Sequence, residues 1–189
     1  MKLVEEIRAC TLCKADLPLP PRPILQGSVD SRILIAGQAP GRITHEKGIP
    51  FDDPSGNRLR LWLGVDRDVF YNEKYFAIVP MGFCFPGSGK NGDAAPLPQC
   101  AETWRSKLLK EFRNLQLTLV IGQYAQDWHL GRRGTVTEIV SSWRESLPDN
   151  LPLPHPSPRN NRWLKANPWF ENDLVPEMQQ RVKAILELP

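Results

Sequence analysis

The sequence predicts an α/β protein with a parallel sheet, because short aliphatic runs alternate with stretches of helical periodicity. Three runs have the length and composition of buried strands: 32–36 (RILIA), 75–79 (YFAIV) and 117–121 (LTLVI). Each run ends at a glycine or a proline, which marks a turn. Alternating strands and helices favour a helix-covered parallel sheet, and 189 residues fit a single domain spanning 1–189.

The predicted helices follow these strands and place apolar side chains on one face. Their ranges are 57–65, 99–112 and 123–130, with a C-terminal helix that begins near Asn167. Gly131 is a typical C-terminal cap for the third helix, and Pro168 fits the first position of the last one. His129, at the end of the third helix, is interpreted as a partner of the helix dipole.

The segments that leave the strands at their carboxyl ends predict where a ligand binds, as is usual for open parallel sheets. These segments are 37–41 (GQAPG), 80–86 and 154–159. The glycines of 37–41 allow backbone to approach a ligand, and exposed amides there could hold an anion or a water. An ordinary strand-to-helix turn is the alternative for this pentapeptide.

Composition says little about the ligand. Apolar residues make up 41% and charged residues 24% of the chain, which is typical of globular proteins. The formal net charge of +3 does not by itself require nucleic acid. Residues 1–14 include acidic side chains and no long apolar run, so we expect no secretory signal, no membrane association and a cytoplasmic location.

Four cysteines are candidates for one metal site. Cys10 and Cys13 form a CxxC pair, and Cys84 and Cys100 follow in segments rich in proline and glycine, with fifteen residues between them. All four thiolates could ligate one [4Fe-4S] cluster or one zinc ion, and unrelated buried thiols are the alternative. The second gap does not match the closely paired cysteines of a zinc ribbon, which favours iron–sulfur.

Several motifs, taken in order, resemble the uracil-DNA glycosylase superfamily. They are GQAPG at 37–41, KGIPF at 47–51, SGNRLRLWLG at 55–64, LTLVIG at 117–122 and HPSPRN at 155–160. The cysteine spacing is similar to that of the iron–sulfur branch, family four, and HPSPRN is similar to the single-strand-selective monofunctional branch. The resemblance implies a three-layer α/β/α sandwich around a central parallel four-stranded sheet, with a [4Fe-4S] cluster on the cysteines.

The resemblance also implies roles for individual residues. Gln38 falls in the motif that positions water, Phe51 at the position that stacks on a flipped base, and His155 at the histidine that donates a hydrogen bond to the base. For Phe51, a simple core anchor is the alternative. The implied substrate contacts are Gly37, Ala39, Pro40, Gly41, Phe51 and Pro80, and the implied DNA contacts are Ser157, Arg159, Asn160 and Arg162.

Three positions depart from the family pattern. Ala39 stands where many relatives carry Asp or Asn, and Gln38 replaces a glutamate, so neither can act as a general base. Asp53 is therefore the predicted catalytic acid, with alternatives in Glu46, Asp52, or a water held only by backbone and substrate phosphates. Pro80 replaces the asparagine that reads uracil in relatives, so hypoxanthine and xanthine are alternatives to uracil.

The predicted function is a monofunctional glycosylase of base-excision repair that removes uracil or another deaminated base from DNA and leaves an abasic site. Breaking this bond builds positive charge on the sugar and negative charge on the base, which a hydrogen bond from His155 would stabilise. The predicted partner is damaged DNA, and the protein is expected to be a nucleoid-associated monomer. The alternatives are a noncatalytic, metal-containing nucleic-acid binding protein of the same fold and an electron carrier that uses the cluster.

Overall fold

The computed structural model describes residues 1–89, 92–132 and 134–188. The strands are β1 (Ile33–Ala36), β2 (Phe76–Ile78), β3 (Ser88–Gly89), β4 (Gly92–Asp93), β5 (Leu117–Ile121) and β6 (Asn150–Leu153). The α-helices are α1 (Lys2–Arg8), α2 (Arg42–Lys47), α3 (Pro54–Leu63), α4 (Arg67–Phe70), α5 (Pro98–Cys100), α6 (Ser106–Glu111), α7 (Gln123–Leu130), α8 (Val136–Ser141), α9 (Asn161–Ala166) and α10 (Val175–Leu186). In these ranges no helix is both long enough and apolar enough to cross a membrane.

Four strands form the central sheet in the order β2-β1-β5-β6, and all neighbouring pairs are parallel. Ile33 lies between Phe76 and Leu117, and Thr118 pairs with Asn150. The predicted parallel four-stranded sheet is thereby confirmed. Pro152 lies within β6, where its missing N–H is tolerated because β6 is an edge strand.

Helices cover both faces of this sheet, which confirms the predicted three-layer sandwich. On one face, side chains such as Ile33, Ile35 and Leu119 pack with residues of α3, α8, α9 and α10 in the larger apolar core. On the other face, Leu34 and Ala77 pack with residues of α1 and α6. The alternation of β1 side chains between the two cores follows from the two-residue period of a strand.

The helix predicted over 99–112 contains an irregularity. It runs as α5, a π-helical segment (Ala101–Arg105) and α6, and its predicted apolar face still packs into the core, with Leu108 and Phe112 buried. The C-terminal helix likewise contains a π-helical segment (Phe170–Leu174) before α10. Helix α9 was not predicted, because its sequence NRWLKA offers little apolar periodicity.

Candidate active site

A cleft of about 630 Å³ opens beyond the carboxyl ends of the strands, within the size range of small-molecule sites. It gathers most of the predicted substrate and DNA residues, although they come from distant segments. The predicted residues that line it are Gly37, Gln38, Ala39, Pro40, Gly41, Phe51, Asp53, Pro80, His155, Ser157, Arg159 and Asn160. Arg162 is exposed on α9 and is not among the residues that line the cleft.

His155 follows β6 and reaches the cleft as a neutral imidazole. The backbone N–H of Ser157 donates to Nδ1 of His155 over 3.2 Å, so the ring proton resides on Nε2. Burial lowers the pKa of His155, an effect that the charges of Asp53 and Asp93 partly oppose. At neutral pH the ring is therefore a hydrogen-bond donor without a positive charge.

The turn that carries His155 is fixed by side chains on both sides. The guanidinium of Arg58, on α3, donates to the carbonyl of Ser157 over 3.0 Å and to Oδ1 of Asn161 over 2.7 Å. Asn160 donates to the carbonyl of His155 over 2.7 Å, so its amide positions the loop. Sequence reasoning missed Arg58, since it is one of several polar residues on a helix and no motif marks it.

Phe51 occupies an unusual backbone conformation beside the first motif. Its φ is +55°, a left-handed value that costs a non-glycine residue about 1–3 kcal/mol. The ring packs edge-on against Phe70, and its tip lies 3.7 Å from the position of a Cβ on Gly37. The phenyl group is thus held over the GQAPG segment, where a flat ligand could stack on it.

Gly56 is expected to be required for this conformation. A Cβ at Gly56 would lie 1.7 Å from the carbonyl oxygen of Phe51. We predict that Gly56→Ala lowers the free energy of unfolding by about 2 kcal/mol or more, because backbone has to move. Urea unfolding measures this, with Gly37→Ala as the matched control because its Cβ makes an ordinary 3.7 Å contact. Equal stabilities of the two variants would contradict the prediction.

The three acids considered for water activation have different environments. Asp52 pairs with Lys47 at 3.1 Å and with Arg67 at 2.6 Å, and the hydrogen bond from Arg67 lowers the pKa of Asp52. Neither Asp52 nor Glu46 lines the cleft. Asp53 does line it, and its Oδ1 accepts a hydrogen bond from the backbone of Gly56 as the N-cap of α3.

A fourth acid, Asp93, lines the cleft from the β3–β4 hairpin, and sequence reasoning missed it. The Nε2 of Gln38 donates to the carbonyl of Ala94 over 2.8 Å and to that of Asp93 over 3.4 Å. The amide nitrogen of Gln38 therefore holds the hairpin, which leaves Oε1 as its group for contacting a water. A glycine-rich segment ending in an acid at 87–93 was the available sequence signal.

The four cysteines line one small cavity, here called the cysteine cavity, on the other side of the segment that follows β2. Burial raises the pKa of Cys84 to about 11 and that of Cys100 to about 12, with the other cysteines adding to both shifts. The backbone N–H of Phe83 donates to Sγ of Cys100 over 3.4 Å. Within the described ranges, no three His, Cys, Asp or Glu side chains are arranged to hold a single metal ion.

Arg105, in the π-helical segment, is fully buried behind the cleft. Its guanidinium donates to the carbonyls of Val79 and Pro80 over 3.1 and 3.0 Å, and it lies 2.6 Å from Nε2 of His129. Burial and the charge of Arg105 lower the pKa of His129 to about 3. His129 is therefore neutral at pH 7, so at the end of α7 it brings no positive charge to the helix dipole.

This buried histidine predicts a pH dependence of stability. Below pH about 6.5 the unfolded chain protonates His129 while the folded chain does not, so the free energy of unfolding falls as the pH drops from about 6.5 toward 3. We predict that the free energy of unfolding of His129→Gln falls less steeply with decreasing pH. The two slopes should differ by up to about 1.4 kcal/mol per pH unit. Urea unfolding between pH 7 and about 5 measures it, above the range where carboxylates dominate. Parallel curves for the two proteins would contradict it.

A solved structure and a family model match this chain. Among solved structures, the chain is similar to a solution NMR structure from Methanosarcina acetivorans described as a candidate uracil DNA glycosylase. The two share 17% identity over 86% of this chain and 97% of that chain, with a TM-score of 0.49. The family model of the uracil DNA glycosylase superfamily matches residues 25–179, which include 37–41 and 155–160 but not Cys10 and Cys13. The chain therefore belongs to the uracil DNA glycosylase superfamily.

Proposed function

We propose that the protein is a monofunctional DNA glycosylase that hydrolyses the bond between a flipped, deaminated base and its deoxyribose. The observation that carries this proposal is the neutral, Nε2-protonated His155 in one cleft with Phe51 and the GQAPG segment. Membership of the uracil DNA glycosylase superfamily supports it.

Each group in the cleft has a role in this reaction. As the bond breaks, negative charge collects on the base oxygens, and the Nε2–H of His155 stabilises it by a hydrogen bond. The ring of Phe51 stacks on the base and offsets part of the few kcal/mol that unstacking costs. Because the imidazole is neutral, it supplies this hydrogen bond without adding a positive charge next to the cationic sugar.

The base pocket favours a class of substrates rather than one base. Pro80 has no side-chain amide, and its carbonyl accepts a hydrogen bond from Arg105, so this position cannot read a base edge as asparagine does. His155 as a donor requires a base with a carbonyl oxygen. Uracil, hypoxanthine and xanthine all have one, and we propose that the substrate is in this group.

DNA is the proposed partner of the cleft. Arg159 is exposed where it lines the cleft, and Arg162 is exposed on the adjoining helix α9. Both guanidiniums could contact phosphates, which would position the duplex without reading its sequence. A monomer in the nucleoid is consistent with such a role.

A panel of defined DNA substrates tests the function. Purified protein is incubated with single- and double-stranded oligonucleotides that contain one uracil, hypoxanthine or xanthine, and abasic sites are revealed by alkaline cleavage. We expect release of at least one of these bases and little release by His155→Ala. Salt-dependent binding to the same oligonucleotides without release of any base would instead select the noncatalytic DNA-binding alternative.

We further propose that Cys10, Cys13, Cys84 and Cys100 hold a [4Fe-4S] cluster. All four line one cavity, and the fifteen residues between Cys84 and Cys100 do not match the closely paired cysteines of a zinc ribbon, which favours iron–sulfur. When bound, the cluster would supply cross-links between the N-terminal segment, the segment after β2 and α5. We assign it no part in cleavage of the base–sugar bond.

A further inference from the structure

We propose that Asp93 is the catalytic carboxylate that holds the attacking water and takes its proton. This inference rests on the glycosylase function proposed above. It assigns to the β3–β4 hairpin the role for which Ala39 offers no functional group.

The position of Asp93 is the first reason. Its side chain lines the cleft, and its Oδ2 lies 3.1 Å from where a Cβ on Gly41 would be. The carboxylate of Asp93 therefore lies against Gly41, which is two residues after Ala39 in the GQAPG segment. Its charge also opposes the lowering of the pKa of His155, so the two groups face the same space from different walls of the cleft.

Hydrogen bonds from Gln38 hold the hairpin, which is the second reason. Gln38 donates to the carbonyls of Asp93 and Ala94, and the backbone N–H of Ala94 donates to Gly87 over 2.9 Å. On the other side, the guanidinium of Arg159 lies 3.0 Å from the position of a Cβ on Gly92. Asp93 is thus presented by backbone that the first motif holds in place, with Arg159 of the HPSPRN turn next to it, as preorganised catalysis requires.

The environments of the other acids are less suitable, which is the third reason: Glu46 and Asp52 do not line the cleft, and Asp53 caps α3. The Oδ1 of Asp53 accepts the hydrogen bond that caps α3, and Asp52 forms salt bridges with Lys47 and Arg67. Among the residues that the structure describes, the carboxylate of Asp93 has neither a hydrogen-bonded nor an ion-paired partner, and the residue is exposed to water. Both of its oxygens are therefore available to a water molecule in the cleft.

The step that follows is balanced without any further reactant. The water oxygen forms a bond to C1′ of the deoxyribose while the bond from C1′ to the base nitrogen breaks. The electron pair of that bond leaves with the base, whose oxygen accepts the hydrogen bond of His155. Asp93 takes the proton of the water and later returns it to the released base through solvent. Before that transfer, its negative charge faces the cationic sugar.

Single-turnover base release by the full chain tests the assignment. Asp93→Asn is expected to lower the rate about 10²–10⁴-fold, the usual contribution of a general base, with unchanged DNA affinity and unfolding temperature. Asp53→Asn should lower it less, since asparagine can still cap α3. Asp68→Asn, which removes an exposed carboxylate outside the cleft, is the control with wild-type rate.

Chemical rescue separates catalysis from a structural role. Asp93→Ala leaves room for a small carboxylate, so added formate should restore part of its rate, whereas it should not restore Phe51→Ala. Wild-type rates in Asp93→Asn, or a larger loss in Asp53→Asn, would overturn the assignment and leave the glycosylase function standing. A wild-type protein that releases no base from the panel would overturn the proposed function, and this inference with it.

Discussion

His155→Ala is expected to slow base release about 10²–10³-fold, the usual cost of removing one donor to a developing anion. The cause is the loss of the Nε2–H. In the wild type, Nδ1 accepts a hydrogen bond from the backbone of Ser157, so Nε2 carries the ring proton. Single-turnover release from the best substrate of the panel measures the effect. His155→Gln, whose amide can also donate, should lose less.

Stability and binding measurements complete this test. The turn is held by Arg58 and Asn160, neither of which bonds to the imidazole, so His155→Ala should keep the unfolding temperature and the DNA affinity of the wild type. Base release by His155→Ala at the wild-type rate would contradict the role of the imidazole. Loss of affinity together with rate would instead assign the ring to binding the ground state.

The acidity of His155 adds a pH dependence to the same reaction. Because burial lowers the pKa of the ring, it stays neutral from pH 8 down to below its ordinary pKa of about 6.5. Protonation of Nδ1 at lower pH would set its proton against the N–H of Ser157, so the rate should fall only on the acid side of that value. A rate that already falls between pH 8 and about 7 would show that His155 is not the neutral donor.

Removal of one cysteine ligand should have the largest effect on stability. Cys100→Ser is expected to yield colourless protein without iron or sulfide, whereas the freshly purified wild type is expected to be brown. Since metal binding contributes directly to folding, the unfolding temperature should drop by ~10 °C or more. Absorption spectra, iron analysis and thermal unfolding measure these changes.

The matched control lies inside the CxxC pair. Thr11→Ala changes an exposed residue between Cys10 and Cys13 and should keep both the colour and the unfolding temperature. Zinc in place of iron in the wild-type protein would replace the proposed cluster by a zinc site. If Cys100→Ser and the wild type have the same metal content and unfolding temperature, Cys100 is not a metal ligand.

The parts of the fold that the sequence predicts well are those where one physical signal dominates. LTLVI is apolar, β-branched and followed by glycine, and it is β5 over the predicted range. Strand β6 is harder to delimit, because Pro152 is acceptable only at a sheet edge, and edge position is a property of the whole sheet. The π-helical segment is likewise not predicted by a 3.6-residue period, and it contains the fully buried Arg105.

The candidate site also contains residues that the sequence predicts and residues that it does not. GQAPG and HPSPRN combine residues with special backbone properties, so their place at the cleft could be predicted from composition and order. Asp93 and Arg58 have ordinary side chains in segments without a motif, and only their tertiary positions bring them to the cleft or its turn. The left-handed φ of Phe51 is likewise a tertiary effect, made possible by the missing Cβ of Gly56.

The strand order sets the width of the cleft. GQAPG leaves β1 and the HPSPRN turn leaves β6, and β5 is the single strand between them. Since neighbouring strands are about 4.8 Å apart, these two walls start roughly 10 Å from each other. Backbone hydrogen bonds of the sheet fix this width. Side-chain substitutions can therefore change the shape or the charge of the cleft. Widening it for a bulkier ligand requires a strand to separate from its neighbour.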